Sequence, residues 1–259
     1  MSEALELHVF KPSGILATHV QGVWSCAVDP NAEQWVDKWL YGDACSGILF
    51  NLTQDIELNQ VSLPVGAYWL PVGKEVHRIC LPPGAKLAGI RLKPGRIASL
   101  CNATIEHPTP MASSEVSELL TQAFLKELVR TEDHARCITL LCQKVIEILE
   151  TAQPLPSPLL DLLQQDWLTA TPQGNEISQR QTERLFKAWL GMTPKEYQRI
   201  LRVRTTLDIL RDESNAELAD LAVTAGFSDQ AHMTRELNKL AKVTPGQYRK
   251  RMKDRKLKS

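Results

Sequence analysis

Apolar and polar positions change rhythm along this chain, and each rhythm predicts a different architecture. From about Leu5 to Arg91, short apolar runs such as Gly47-Ile48-Leu49-Phe50, Ala67-Tyr68-Trp69-Leu70 and Leu87-Ala88-Gly89-Ile90 are broken at short intervals by Pro-Gly and Gly turns. That pattern predicts a small antiparallel β-structure. Further on, Val116, Leu119, Leu120, Ala123, Phe124 and Leu128 recur at helical spacing, and so do Ile138, Leu141, Cys142, Val145, Ile148 and Leu149. The polar Thr131-Glu132-Asp133 between them predicts an antiparallel helical pair, whose apolar face suits either a dimer surface or packing against the β-structure. Gln153-Pro154-Leu155-Pro156-Ser157-Pro158 then reads as a stiff, extended linker. After it, Leu159, Leu160, Leu163 and Trp167 predict a helix from Pro158 to Leu168.

The C-terminal third contains one pattern twice, 51 residues apart. Arg184-Leu185-Phe186-Lys187 followed by Thr193-Pro194-Lys195-Glu196-Tyr197 returns as Arg235-Glu236-Leu237-Asn238 followed by Thr244-Pro245-Gly246-Gln247-Tyr248. Thr-Pro-x-Glu/Gln is a helix start, with threonine capping, proline at the first helical position, and the acid or amide folding back onto the cap. In the second copy, Ser214-Asn215-Ala216-Glu217 reads as a capping box before a short helix carrying Leu218, Leu221 and Ala222. Gly226 stops that helix with Phe227 as an apolar plug, and Ser228 or Asp229 caps the next. A short helix, a glycine turn and a second polar-faced helix make a helix-turn-helix, whose second helix enters the major groove of DNA. In the first copy, Ser178-Gln179-Arg180-Gln181 is another capping box. Upstream of it, Thr171-Pro172-Gln173-Gly174-Asn175 breaks the chain, so this unit reads as truncated. Pro194 to Arg211 reads as one helix joining the two units, with Tyr197, Ile200, Leu201, Leu207 and Leu210 on its buried side.

At Leu221-Ala222, Gly226-Phe227, Arg235, Leu237, Thr244-Pro245 and Tyr248-Arg249, the chain resembles the C-terminal domain of the AraC/XylS family of transcription regulators. The resemblance covers roughly residues 158–250 and implies a double helix-turn-helix. Leu237 and Lys242 stand where the family has Phe and Gly, and Lys242 suggests a different ending to the last recognition helix. Gly47 to Leu52 and Gly89 to Pro94 are similar to stretches in the sensor domain of one subgroup, which implies a cupin-like barrel. The expected fold class is therefore α+β: a small cupin-like β-barrel over 1–110, a helical pair over 111–152, a linker over 153–157, and an all-α DNA-binding domain over 158–259.

Charge agrees once the chain is divided. The 30 basic and 30 acidic residues cancel overall, but residues 173–259 hold 18 Lys and Arg against 11 Asp and Glu, and residues 1–172 hold 12 against 19. A basic end on an acidic body fits a phosphate-binding partner. The candidate DNA contacts are Arg180, Glu183 and Arg184 in the first unit and Gln230, His232 and Arg235 in the second. The tail from Arg249 to Lys258 reads as either a phosphate clamp or a solubilising end. Double-stranded DNA is the expected partner, with RNA polymerase, a small-molecule effector and a second copy of the chain as further candidates.

The N-terminal half is rich in aromatic residues: Trp24, Trp35, Trp39, Phe50, Tyr68 and Trp69, with His77, Arg78 and Arg91 as polar anchors. Trp24, Phe50, Tyr68, Trp69, His77 and Arg91 are the candidate ligand pocket, the alternative being that the rings are simply core. Six scattered cysteines and six histidines lack metal spacing, so no metal and no cofactor is expected. No cysteine sits in the Pro-Cys-His-Arg setting of an alkyl-transfer repair protein, and paired histidines of a cupin catalyst are missing, so no catalytic residue is expected. With no apolar run of membrane-spanning length and no leader pattern, the expected location is the cytoplasm. A regulator controlled at its N-terminal half leads. A constitutive DNA binder whose N-terminal half only dimerises is the alternative, and an enzyme fused to the same DNA-binding domain comes third.

Overall fold

The computed structural model describes residues 4–111, 122–168, 177–213 and 216–256. In the N-terminal half, ten strands follow the β rhythm: β1 (Leu5–Phe10), β2 (Val20–Val28), β3 (Val36–Leu40), β4 (Ser46–Asn51), β5 (Ile56–Leu58), β6 (Val61–Leu63), β7 (Gly66–Leu70), β8 (His77–Leu81), β9 (Lys86–Leu92) and β10 (Thr109–Pro110). They form a six-stranded sheet in the order β1-β2-β9-β4-β7-β10 and a four-stranded sheet in the order β3-β8-β5-β6. All ladders are antiparallel. The two sheets are open, and their ladders do not close into a cylinder.

Alternation along β4 explains why all six of its residues are buried. Leu49 points between the sheets, into a core with Ile56, Tyr68, Ile79 and Leu87. Ile48 and Phe50 point to the opposite face, into a core with Trp69, Ile90, Phe124 and Leu141. That second core lies beneath two helices, α2 (Gln122–Arg130) and α3 (His134–Glu150), which follow a short α1 (Arg96–Cys101). Asp133 caps α3 by accepting from the Ala135 and Arg136 amides. The apolar face expected on the helical pair thus packs on the large sheet through Leu128, Cys137, Leu141, Val145 and Ile148. Val116, Leu119 and Leu120 lie outside the described residues.

Residues 153–157 do not behave as a free spacer. The Gln153 amide donates to the Ser99 carbonyl, and Leu155 is buried beside Leu159 and Leu162. The helix that follows, α4 (Ser157–Gln164), ends four residues short of the expected Leu168. Gln165 is extended, and Trp167 folds back so that its indole donates to the Leu162 carbonyl at 2.7 Å. The remaining helices are α5 (Gln179–Leu190), α6 (Pro194–Asp212), α7 (Leu218–Thr224), α8 (Gln230–Ala241) and α9 (Pro245–Lys256).

Candidate nucleic-acid interface

The second helix-turn-helix is built by the turn residues the sequence singles out. Gly226 has φ +77°, its amide donates to the Val223 carbonyl, and the Phe227 amide donates to the Ala222 carbonyl. These are the two bonds of a Schellman ending. A Cβ on Gly226 would also lie 2.3 Å from the Leu168 carbonyl oxygen, so both conformation and space require glycine. Ala222 is fully buried against Phe227, Met233 and Leu237, where a larger side chain would push α7 off α8. Asp229 caps α8 by accepting from the His232 amide at 2.7 Å, and this bond draws its carboxyl below the usual carboxylate range. The Ser214 capping box is not where α7 begins: the N-cap is Glu217, and Ser214 and Asn215 lie outside the described residues.

The first unit reproduces α8 at the 51-residue offset, since α5 spans the same twelve positions. Its capping box is complete, with Ser178 accepting from the Gln181 amide and Gln181 returning to the Ser178 amide. Thr193 and Glu196 form a second box at the start of α6; the Thr193 amide holds the Glu196 carboxyl below its ordinary range. Thr244 and Gln247 repeat the box at the start of α9. Gly191 ends α5 in the left-handed region at φ +67°, and its counterpart Lys242 ends α8 in the same region at φ +51°. Lysine therefore closes the last recognition helix as glycine closes the first, contrary to the different ending expected from the substitution. Leu237 fills its core slot completely. The interrupted segment Thr171 to Asn175 lies outside the described residues.

Helix α6 carries both units. Tyr197 and Ile200 belong to the core with Trp167, Phe186 and Leu190, whereas Val203, Leu207 and Leu210 belong to the core of the second unit. Arg199 on α6 grips Glu236 on α8 with two hydrogen bonds, of 2.6 and 3.1 Å. Nineteen residues at about 1.5 Å each give α6 a length of about 28 Å, against roughly 34 Å for one turn of DNA.

The sequence-predicted contact residues divide as follows. Arg180 and Arg184 stand exposed on α5, and neither makes a hydrogen bond or ion pair among the described residues. Glu183 beside them accepts from Gln179 at 3.1 Å. On α8, Gln230 and Arg235 are exposed, and Arg235 makes no hydrogen bond or ion pair among the described residues. Arg184 and Arg235 occupy equivalent positions of the two units. His232 is half-buried; its ring meets Phe227 edge-on at 5.3 Å, and Nδ1 lies 3.1 Å from the Ser228 hydroxyl. Two arginines of the basic tail face inward instead: Arg249 donates to the Ala216 carbonyl, and Arg251 lies 5.2 Å over the Trp39 ring and donates to the Tyr41 hydroxyl at 3.2 Å. Lys258 lies outside the described residues.

Sequence reasoning missed one feature of this interface. The loop between β7 and β8 reaches the C-terminal end of both recognition helices. Lys74 donates to the Gly191 carbonyl at 2.7 Å, and the Val76 amide donates to the Leu240 carbonyl at 2.8 Å. Helix C-termini present unpaired carbonyls, so a lysine and a free amide are suited to bind there. No periodicity marks such a contact, because the loop and the helices are more than 100 residues apart.

The same loop walls a cavity of about 580 Å³ through Pro71, Gly73 and Glu75. Trp24, His77 and Arg91 also line it, together with Trp39 and Arg204. Gly89 makes room for Trp24, whose indole lies where a Cβ would be. Burial pushes the His77 imidazole below its usual pKa, and Arg91 is paired to Asp43. Phe50, Tyr68 and Trp69 do not line the cavity; they are core residues, and the Tyr68 hydroxyl is bonded to the Pro64 carbonyl at 2.8 Å.

Residues 175–251 match the family described as a helix-turn-helix domain. Among solved structures, the chain is similar to ToxT from Vibrio cholerae at 8% identity, over 95% of this chain and 98% of that one, with a TM-score of 0.46. A ToxT from Vibrio cholerae strain SCE256 with unsaturated fatty acid bound gives 10% identity, 87% and 92% coverage, and 0.44. The plu4264 protein from Photorhabdus luminescens is 14% identical over 34% of this chain and 74% of that one, with a TM-score of 0.26. All three scores lie under 0.5, so the assignment comes from the family match and from the residues that build the two units. No helix among the described residues is long and apolar enough to cross a membrane. Residues 175–251 are a helix-turn-helix domain of the AraC type, and the chain that carries them is a DNA-binding transcription regulator.

Proposed function

We propose that this regulator reads a specific DNA sequence with α5 and α8, and that a small molecule or partner protein acting on the N-terminal half controls how those helices are presented. The loop between β7 and β8 carries this reading. It touches the ends of both recognition helices and forms a wall of the cavity, so an occupant that shifts the loop acts on both at once. Arg180, Arg184, Gln230 and Arg235 contact bases or groove edges, with Glu183 and His232 orienting the surface around them. Arginine bidentate to guanine gives about 1–3 kcal/mol of discrimination. The burial of the helical pair's apolar face weighs against the alternative, a constitutive DNA binder whose N-terminal half only dimerises.

Selection of bound sequences from random duplex DNA tests the proposal, followed by footprinting of the winners. The expected outcome is an enriched site with two contacted segments about one helical turn apart. Binding with no enrichment over random DNA would remove the sequence-reading role. Control from the N-terminal half is checked separately with Lys74→Ala, which should alter affinity for the selected site without touching any DNA-facing residue.

A further inference from the structure

We infer that Glu6, His8 and His134 form a binding site for a divalent transition-metal ion of the zinc class, which ties the edge strand β1 to the first turn of α3. The sequence gives no hint of it, because the two histidines are 126 positions apart. Folding brings them together. Glu6 and His8 alternate onto one face of β1, and the His8–Ser25 register places that face beneath the start of α3. Ligand atoms of Glu6, His8 and His134 lie within 4.8 Å of one another. One carboxylate serves both imidazoles, with Oε1 2.8 Å from His8 Nε2 and Oε2 3.7 Å from His134 Nε2, and the rings stack at 4.3 Å.

The environment of His134 is what distinguishes this cluster from a surface ion pair. Its Nδ1 lies 2.7 Å from the Ser25 hydroxyl, which is buried and also hydrogen-bonds the Cys137 thiol. In the metal-bound form Nδ1–H donates to Ser25, leaving the Nε2 lone pair aimed at Glu6 and His8. A partner that fixes the second ring nitrogen in this way is characteristic of metal-ligating histidines. Two imidazoles and a carboxylate suit zinc, nickel or copper rather than magnesium or calcium, which take oxygen ligands. Glu6 and His8 are exposed on an edge strand and can turn toward an ion bound at His134, where zinc takes such ligands at about 2.0–2.2 Å with water completing four-coordination. Asp133, capping α3, offsets the positive end of that helix. The cysteines do not compete: burial pushes Cys26, Cys45 and Cys101 up to about 12 and Cys137 up to about 11, which keeps these thiols protonated.

The test uses the full chain, stripped with a chelator and titrated calorimetrically with zinc ion, with cobalt ion as a visible-absorption probe. One ion per chain is expected, with a rise in thermal midpoint on binding. His8→Gln and His134→Gln should each abolish the stoichiometric site and the midpoint rise, and Ser25→Ala, which removes no ligand, should weaken binding by about tenfold or more. His8 is on an exposed strand, so His8→Gln keeps the chain folded and remains informative if His134→Gln does not. Zinc affinity unchanged in His8→Gln, or no stoichiometric binding by the parent chain, overturns the site and leaves the triad as an ion pair only.

Discussion

The two helix-turn-helix units are copies in sequence spacing and cap chemistry, yet the protein supports them differently. The first is set into the N-terminal half. Its core, where Trp167, Phe186 and Tyr197 meet edge-on at 5.3–5.4 Å, also holds Ala44, Val72 and Leu155, and Gly191 packs against Thr104. The second has a core drawn almost wholly from α6 to α9, with Tyr41 as its N-terminal neighbour. A duplicated reading unit therefore need not be an equivalent one. The first is coupled through packing to whatever the N-terminal half does; the second has its own core and meets that half through the Val76–Leu240 bond and through Tyr41 and Trp39, which contact Tyr248 and Arg251.

The sharpest way to break the comparison is Gly226→Val. A β-branched residue resists φ +77°, and its Cβ would collide with the Leu168 backbone, so a loss of at least about 3 kcal/mol is expected. Chemical denaturation measures it, and an unchanged midpoint would show that the turn relaxes freely. Phe186→Ala and Phe227→Ala should each cost about 3–5 kcal/mol. They differ in reach: Phe186→Ala should also loosen the N-terminal half, seen as faster amide exchange in β4 and β7, whereas Phe227→Ala should leave those strands protected. Equal exchange in the two variants would mean that the first unit is no more embedded than the second.

For DNA, the triple change of Gln230, His232 and Arg235 to alanine should abolish sequence-specific binding. The Arg180/Arg184 double change should weaken it and shorten the footprint by about one half-site, each lost base contact costing about 1–3 kcal/mol. Greater damage from the double change, with helical circular dichroism intact in both, would make the first unit the principal reader. The smallest effect concerns the two helix ends. Lys242→Gly should stabilise the chain by about 1 kcal/mol by relieving a left-handed lysine, whereas Gly191→Lys should destabilise it by a similar amount. A thermal melt distinguishes the two, and a destabilised Lys242→Gly would show that the lysine side chain makes up for its backbone.

Much of the secondary structure was legible because it rests on local chemistry. The Ser178, Thr193 and Thr244 boxes, the Asp229 cap and the Gly226 turn are each specified within four residues, and each appears where its residues predict. The strand rhythm and the helical spacing up to residue 168 likewise announced a β-rich half and a helical half. Where local reading misled, a distant contact had taken over. The helix expected to reach Leu168 stops at Gln164, because Trp167 is worth more in the core with Phe186 and Tyr197 than in another helical turn. Phe50 and Trp69 were indistinguishable from pocket lining until the fold placed α2 and α3 over that face of the sheet.

Sequence alone therefore determined the capping boxes, the Gly226 turn, the duplicated helical unit and the charge division between the halves, since these depend on neighbours along the chain and on composition. Tertiary structure decided which aromatic rings line the cavity, how Lys74 and Val76 reach both recognition helices, and that Glu6 and His8 meet His134. Those outcomes depend on residues far apart in the chain approaching within a few ångströms. No periodicity or spacing encodes such an approach, which arises only when the sheets and helices bury their apolar faces together.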